Sequence, residues 1–190
     1  MSSSLYIPVI LGTIRPGRLS ERVARLIYTE LTKLSNIQTE LIDIRALDFD
    51  FKNEGPSARM PKFSRQMWQM HGLIIVAPEY NHSYPGSLKM IMDTNLAEYR
   101  DKAVGLVGVS DGPWGGARLV ENLINYTQTL GLKPLRTALY FPQAEKIIDP
   151  EGQLVNPNYL PRINRFFQDL ILLAQTLAPI QKHASKIEAL

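Results

Sequence analysis

Three uninterrupted apolar runs, at residues 5–11, 73–77 and 103–109, constrain this chain more than any other feature of it. Each ends in a loop rich in Gly, Pro or Ser. A strand with one face in water alternates apolar and polar residues, so a run without alternation suits a strand covered on both faces. Weaker strand candidates lie at 38–44 and 135–141, making five in all. Helical stripes stand between and after them. Val23, Ala24, Ile27, Leu31 and Leu34 form one, and Leu119, Leu123, Ile124 and Leu130 another. The clearest is Ile163, Phe166, Phe167, Leu170, Ile171, Ala174 and Leu177 at three-and-four spacing. Pro179 is expected to end that helix. Shorter helices are expected over 61–70 and 86–96. Alternation of strand and helix predicts an α/β fold, a parallel sheet with helices on both faces. Two polar stretches, 48–60 and 142–157, break the rhythm and are expected as long loops, either functional or mobile.

Bulk properties narrow the possibilities. A chain of 190 residues suits one sizeable core, so a single domain over 1–190 is expected. A net charge of only +3, with no run of five like charges, gives no reason to expect a nucleic-acid partner. The sequence has no cysteine, which excludes disulfides, thiolate nucleophiles and sulfur-ligated zinc. Its three histidines, His71, His82 and His183, match no metal-ligand spacing, so no metal site is expected. The opening MSSSLYIPVILGTIRPGR lacks the basic leader of a signal peptide. No apolar stretch approaches the roughly 18 residues of a membrane helix. A cytoplasmic protein without membrane association is the expectation.

Three loops carry the chemistry. The first, Gly12-Thr13-Ile14-Arg15-Pro16-Gly17-Arg18-Leu19-Ser20, joins the first strand to a helix. Helix N–H groups, the hydroxyls of Thr13 and Ser20 and the cations of Arg15 and Arg18 offer an anion cradle, with Gly12 and Gly17 allowing close backbone approach. The competing reading is a plain strand-to-helix turn with Ser20 as N-cap and the arginines solvated. No Gly-Lys-Ser/Thr follows and the Gly-x-Gly-x-x-Gly fingerprint is absent, so a monophosphate fits best. The second loop, Ala77-Pro78-Glu79-Tyr80-Asn81-His82-Ser83-Tyr84-Pro85-Gly86, offers a wall for a flat heteroaromatic ring, with stacking from Tyr80 and Tyr84 and polar atoms from Glu79 and Asn81. Alternatively the tyrosines pack under helices and Asn81 bonds its own turn. The third, Ser110 to Arg118, carries three glycines, which imply close approach to something, and Trp114, a ring cover or a surface contact. In a five-stranded sheet of order 2-1-3-4-5 the three loops converge at the switch point, beyond the carboxyl ends of strands one, three and four. Phosphate cradle, ring wall and Gly-rich backbone together describe a site shaped for FMN.

From the first strand to about Leu132 the chain resembles the NADPH-dependent FMN reductase family of flavodoxin-like proteins. The resemblance rests on Pro78-Glu79-Tyr80-Asn81, Pro85-Gly86-x-Leu88-Lys89 with Asp93, and Gly115-Gly116-Ala117-Arg118. It implies that Thr13, Arg15, Leu19 and Ser20 hold the FMN phosphate, with Arg18 beside them. It implies too that Pro78, Glu79, Tyr80 and Asn81 line the isoalloxazine ring and that Ser110 and Gly116 approach it from the fourth strand. Arg18 and Ser20 stand where many relatives carry Ser and Asn. Electrons would pass from NADPH or NADH to FMN and then, by a ping-pong scheme, to a quinone, azo compound, metal oxyanion or free flavin. Backbone N–H groups of the Tyr80 to Asn81 loop would hydrogen-bond the flavin, no side chain acting as catalyst. A homodimer or homotetramer is implied by the resemblance alone. Two rivals stand beside this reading. A non-enzymatic electron carrier of the same fold is one, although such carriers tend to be acidic and this chain is mildly basic. A module binding another phosphorylated ligand is the second, and the ring wall speaks against it.

Overall fold

The inner strands read as apolar runs because helices cover both faces of the sheet they form. The structure, a computed structural model, describes residues 4–50 and 52–187, the last seven by backbone alone. Residues 1–3, 51 and 188–190, which the single-domain expectation includes, lie outside the described residues. In chain order the elements are β1 (Leu5–Tyr6), β2 (Val9–Leu11), α1 (Ser20–Thr32), β3 (Ile37–Gln38), β4 (Leu41–Asp43), α2 (Pro61–Gln69) and β5 (Gly72–Pro78). There follow α3 (Gly86–Met92), β6 (Ala103–Val109), α4 (Ala117–Thr129), β7 (Lys133–Pro134), β8 (Leu139–Phe141), α5 (Ala144–Ile147) and α6 (Tyr159–Ile187). No described helix is long and apolar enough to cross a membrane.

The main sheet runs β4-β2-β5-β6-β7, with β8 also on β6, and every pairing is parallel. With β7 and β8 taken as two pieces of one strand, this is the expected order 2-1-3-4-5. Register brings the strand ends level: Leu11 lies opposite Asp43 and Val76, Pro78 opposite Val109, and Val109 opposite Phe141. The loops after β2, β5 and β6 therefore leave the sheet at one end.

Successive residues of the inner strands face opposite layers. Val9, Leu11, Ile74, Val76 and Val107 pack with Val23, Ile27, Phe166 and Leu170 of α1 and α6. Ile10, Leu73, Ile75 and Leu106 pack with Phe63, Met67, Leu88, Ile91 and Leu123 of α2, α3 and α4. Fully burying one such side chain stabilises by about 1.5–3 kcal/mol, so both layers hold the sheet in place.

Several boundaries depart from the sequence reading. The 5–11 run divides at Pro8, which has no N–H to donate. Ile7 N–H to Gln38 O (2.9 Å) and Val9 N–H to Glu40 O (2.9 Å) carry the pairing across it. The second strand is likewise two pieces, β3 on β1 and β4 on β2. The fifth begins earlier than expected, at Lys133, and is interrupted, although Leu135 N–H still reaches Val104 O at 2.8 Å. The last helix runs through Pro179 to Ile187 instead of ending there. Proline costs such a helix one hydrogen bond and some steric crowding, which two further turns can absorb. The 142–157 stretch contains the single turn of α5.

Helix α2 ends against a buried lysine. Lys102 Nζ donates to the carbonyls of Met67 (2.6 Å) and Trp68 (2.7 Å), satisfying acceptors that the helix end leaves open. Burial lowers the Lys102 pKa to about 8, against an opposing pull from Glu98. A lysine so depressed binds its proton more weakly in the folded chain than in the unfolded one. The resulting penalty is full below pH 8 and disappears as pH rises toward the unfolded value of 10.5. Stability to urea is therefore expected to gain, between pH 8 and 10.5, an increment that Lys102→Met lacks. Equal pH slopes for the two proteins would contradict it.

Candidate functional site

A cleft of about 300 Å³ opens at the carboxyl ends of β2, β5 and β6, lined by residues 15–20, 78–80 and 109–111. It gathers Arg15, Arg18, Leu19, Ser20, Pro78, Glu79, Tyr80 and Ser110 from the sequence-derived candidates, and adds Pro16, Gly17, Val109 and Asp111. Thr13 lies beneath it, 1% exposed. Asn81 and Gly116 are not among its walls.

The first loop has two sides. Toward the cleft it presents the start of α1, where Leu19 is the N-cap residue and no side chain caps the first turn. Ser20 is not the cap: it opens the helix, is fully buried, and its hydroxyl has no hydrogen-bond partner. A buried hydroxyl without a partner costs about 1–3 kcal/mol, so a ligand oxygen at this point relieves a standing penalty. The next N–H groups, of Glu21 and Arg22, close on the carbonyls of Arg18 (3.2 Å) and Leu19 (3.1 Å), and this end of the helix carries the positive pole of its dipole. Arg15 adds an exposed guanidinium, 5.8 Å from the centre of the Tyr80 ring. Arg18 lines the cleft but its guanidinium is engaged by the protein, donating to the Thr13 carbonyl and to Asp43 Oδ2. These partners occupy both of its terminal nitrogens. Arg25 hydrogen-bonds Glu21 in the same first turn and holds that carboxyl below its ordinary pKa, with Arg18 adding to the effect.

Two of the expected glycine roles move elsewhere. A Cβ on Gly12 would sit 3.0 Å from Leu88 Cδ2 and 3.2 Å from Ala77 Cβ, so Gly12 makes room for α3, not for a phosphate. The glycines of the third loop approach the sheet itself. A Cβ on Gly108 would fall 2.5 Å from the Gly115 carbonyl oxygen, and one on Gly116, whose φ is 82°, would fall 2.9 Å from Gly108 Cα. Gly116 thus seats the loop on β6. Ser110 reaches the cleft, but its hydroxyl donates to Gly112 O at 2.8 Å.

The ring wall is shorter than expected. Glu79 N–H donates to Val109 O (3.0 Å), extending the β5–β6 ladder by one step. Tyr80 and Ser83 then exchange both backbone hydrogen bonds, at 2.9 and 3.0 Å, around Asn81 and His82, whose φ values are 48° and 68°. Two positive-φ residues between paired neighbours make a type I′ turn, which asparagine tolerates. The Tyr80 N–H expected to meet a flavin is thereby used in the turn, and Asn81 and His82 stand exposed at its tip. Tyr80 OH meets Thr13 Oγ1 at 3.1 Å, tying the ring wall to the first loop, and Thr13 Oγ1 also accepts from Arg15 N–H at 3.3 Å. Tyr84 turns the other way and stacks on Tyr126 of α4, ring centres 5.1 Å apart. Burial raises its phenol pKa. Glu79 pairs with Arg118 at 3.5 Å through Oε1, while its Oε2 is buried without a partner. Trp114 is 67% exposed.

A parallel sheet with helices on both faces and a cleft beyond the carboxyl ends of its middle strands defines a flavodoxin-like protein. The comparisons agree. The family model described as NADPH-dependent FMN reductase matches residues 5–146. A quinone reductase of Escherichia coli strain K12 is 34% identical over 131 residues, 65% of this chain and 69% of the relative. An NAD(P)H-dependent FMN reductase of Pseudomonas aeruginosa is 26% identical over 190 residues, 93% and 99% of the two chains. A flavoenzyme NAD(P)H:(acceptor) oxidoreductase of Paracoccus denitrificans has the same fold, with a TM-score of 0.75 at 18% identity over 91% of this chain and 98% of that one. The chain belongs to the NADPH-dependent FMN reductase family, enzymes that use FMN with NAD(P)H as electron donor. That membership sets the electron-carrier reading aside.

Gly108→Ala is expected to cost about 1–3 kcal/mol, because backbone, not a flexible side chain, occupies the space the new methyl needs. Urea denaturation measures it. A variant as stable as the parent would show that the third loop is not seated on β6 as described.

Proposed function

We propose that the protein binds FMN in this cleft and passes electrons from a reduced nicotinamide cofactor to a small acceptor of quinone type. The observation that carries the reading is the buried, partnerless Ser20 hydroxyl at the uncapped start of α1, facing the same cleft as the Pro78 to Tyr80 wall. Likeness to the Escherichia coli quinone reductase supports a quinone ahead of an azo compound, a metal oxyanion or free flavin. Bound here, FMN would supply the hydride chemistry that links a reduced nicotinamide to the acceptor.

The chain's own residues bind and orient. Ser20 Oγ donates to the phosphate at the positive end of the α1 dipole, and Arg15 adds positive charge at the mouth. Thr13 serves from below by fixing Tyr80. Pro78, Glu79 and Tyr80 provide the ring wall and Ser110 the opposite rim, with Leu19 between phosphate and core. Asn81 retains a backbone N–H at the turn tip for the edge of the ring, the role first expected of Tyr80. Trp114 and Leu96, 67% and 56% exposed, are apolar surface that a second copy of the chain would cover, in keeping with a homodimer or homotetramer working in the cytoplasm.

Purified protein incubated with FMN and desalted is expected to keep its visible flavin bands, and these should bleach on anaerobic addition of NADPH and return with a benzoquinone. Loss of the bands on desalting, or bands that NADPH leaves unchanged, would refute the reading. Ser20→Ala is expected to weaken FMN binding about 10- to 100-fold, the effect of removing one hydrogen bond to a charged group. Quenching of flavin fluorescence during titration measures it.

A further inference from the structure

We propose that Asp43, acting through Arg18, is a positioning residue for the flavin phosphate, an assignment that rests on the reading of the cleft as the FMN site. The side chain of Arg18 is 2% exposed, a charge taken almost wholly out of water. Such burial is costly unless partners hold the charge. The two terminal nitrogens of the guanidinium have different partners, one the Thr13 carbonyl at the start of the loop and the other Asp43 Oδ2 at the end of β4. Its Nε has no hydrogen-bond partner, lying 3.5 Å from Glu21 Oε2 in the first turn of α1. One planar group thus joins sheet, loop and helix.

Asp43 is itself fixed. Its Oδ1 accepts from Arg45 N–H at 3.0 Å, leaving Oδ2 for Arg18, and register on β2 sets it level with Leu11, next to the loop. The consequence falls on the peptide after Thr13. In a trans peptide the C=O and the following N–H point in opposite directions, and the chain has no cis bond among the described residues. Arg18 draws the Thr13 carbonyl inward, so the Ile14 N–H faces outward. A carbonyl turned to the cleft would repel a phosphate, and an N–H attracts it. The same clamp holds the loop closed around Gly17, at φ 65°, so that the start of α1 meets the cleft uncapped. Arg18 therefore acts on the phosphate from behind, as a brace and a fixed positive charge, and Asp43 sets the brace.

The test compares FMN with riboflavin, which has the same ring and no phosphate, by fluorescence titration of the parent chain, Asp43→Asn and Arg18→Lys. Asparagine keeps an acceptor for Arg45 N–H but loses the charge. Lysine keeps the charge but not the fork that spans two partners, so the fold persists in at least one variant. Thermal unfolding checks that it does. Both variants are expected to bind FMN about tenfold or more weakly while riboflavin affinity stays within about twofold. FMN affinity unchanged in a folded variant, or FMN and riboflavin weakened alike, overturns the positioning role. A parent chain that binds FMN no better than riboflavin overturns the phosphate cradle itself, and is told apart from the other failures because it needs no substitution.

Discussion

The parallel ladder between β5 and β6 is the constraint on which the rest depends. It pairs seven consecutive residues on each strand, from Gly72 with Ala103 to Pro78 with Val109, and every side chain along it except Pro78 is buried. No single substitution on the surface can shift that register, because a slip by one residue would turn Ile74 and Val76 into the layer built for Leu73 and Ile75. β2 takes its own register from β5, and β4 from β2. The positions of three loops and of Asp43 follow from that sequence of pairings. The cleft exists where it does because the sheet ends there.

What the cleft can hold follows from what its surroundings leave unsatisfied. The interior supplies partners for most polar groups: Thr13 has Tyr80 and Arg15, Ser110 has Gly112, and Arg18 has Thr13 and Asp43. Ser20 Oγ stands outside this accounting, at the positive end of α1 and on the wall of the cleft. A protein interior rarely leaves such a donor unpaired unless something else completes it. The ring wall is formed differently, by a strand extended one residue through Glu79 and then reversed in a type I′ turn, which sets Tyr80 at the rim and exposes Asn81.

Much of this was legible in the sequence, and the rest was hidden for identifiable reasons. Buried strands announce themselves by missing alternation, and the order of loops along the chain places them at one end once the sheet is parallel. Motif residues such as Pro78, Glu79 and Tyr80 did reach the cleft. Arg18 and Gly116 were read by type, a cation for an anion and a glycine for a close approach. The types were right, but the partners were protein: Asp43 and the Thr13 carbonyl in one case, the backbone of Gly108 in the other. Asp43 itself passed unnoticed because its signal is a charge at the end of a neighbouring strand, visible only once β4 lies beside β2.

The sequence by itself determined the layers, the strand order, the membership of a family of FMN-using reductases and most of the residues that line the cleft. These depend on periodicity and on local motifs, and both are written along one stretch of chain. Tertiary structure alone decided which of those polar groups are satisfied internally and which remain for a ligand. Arg18 lies 25 residues from Asp43 and Thr13 lies 67 from Tyr80, so the choice between serving the protein and serving a ligand is made by contacts across the fold, which no local pattern records.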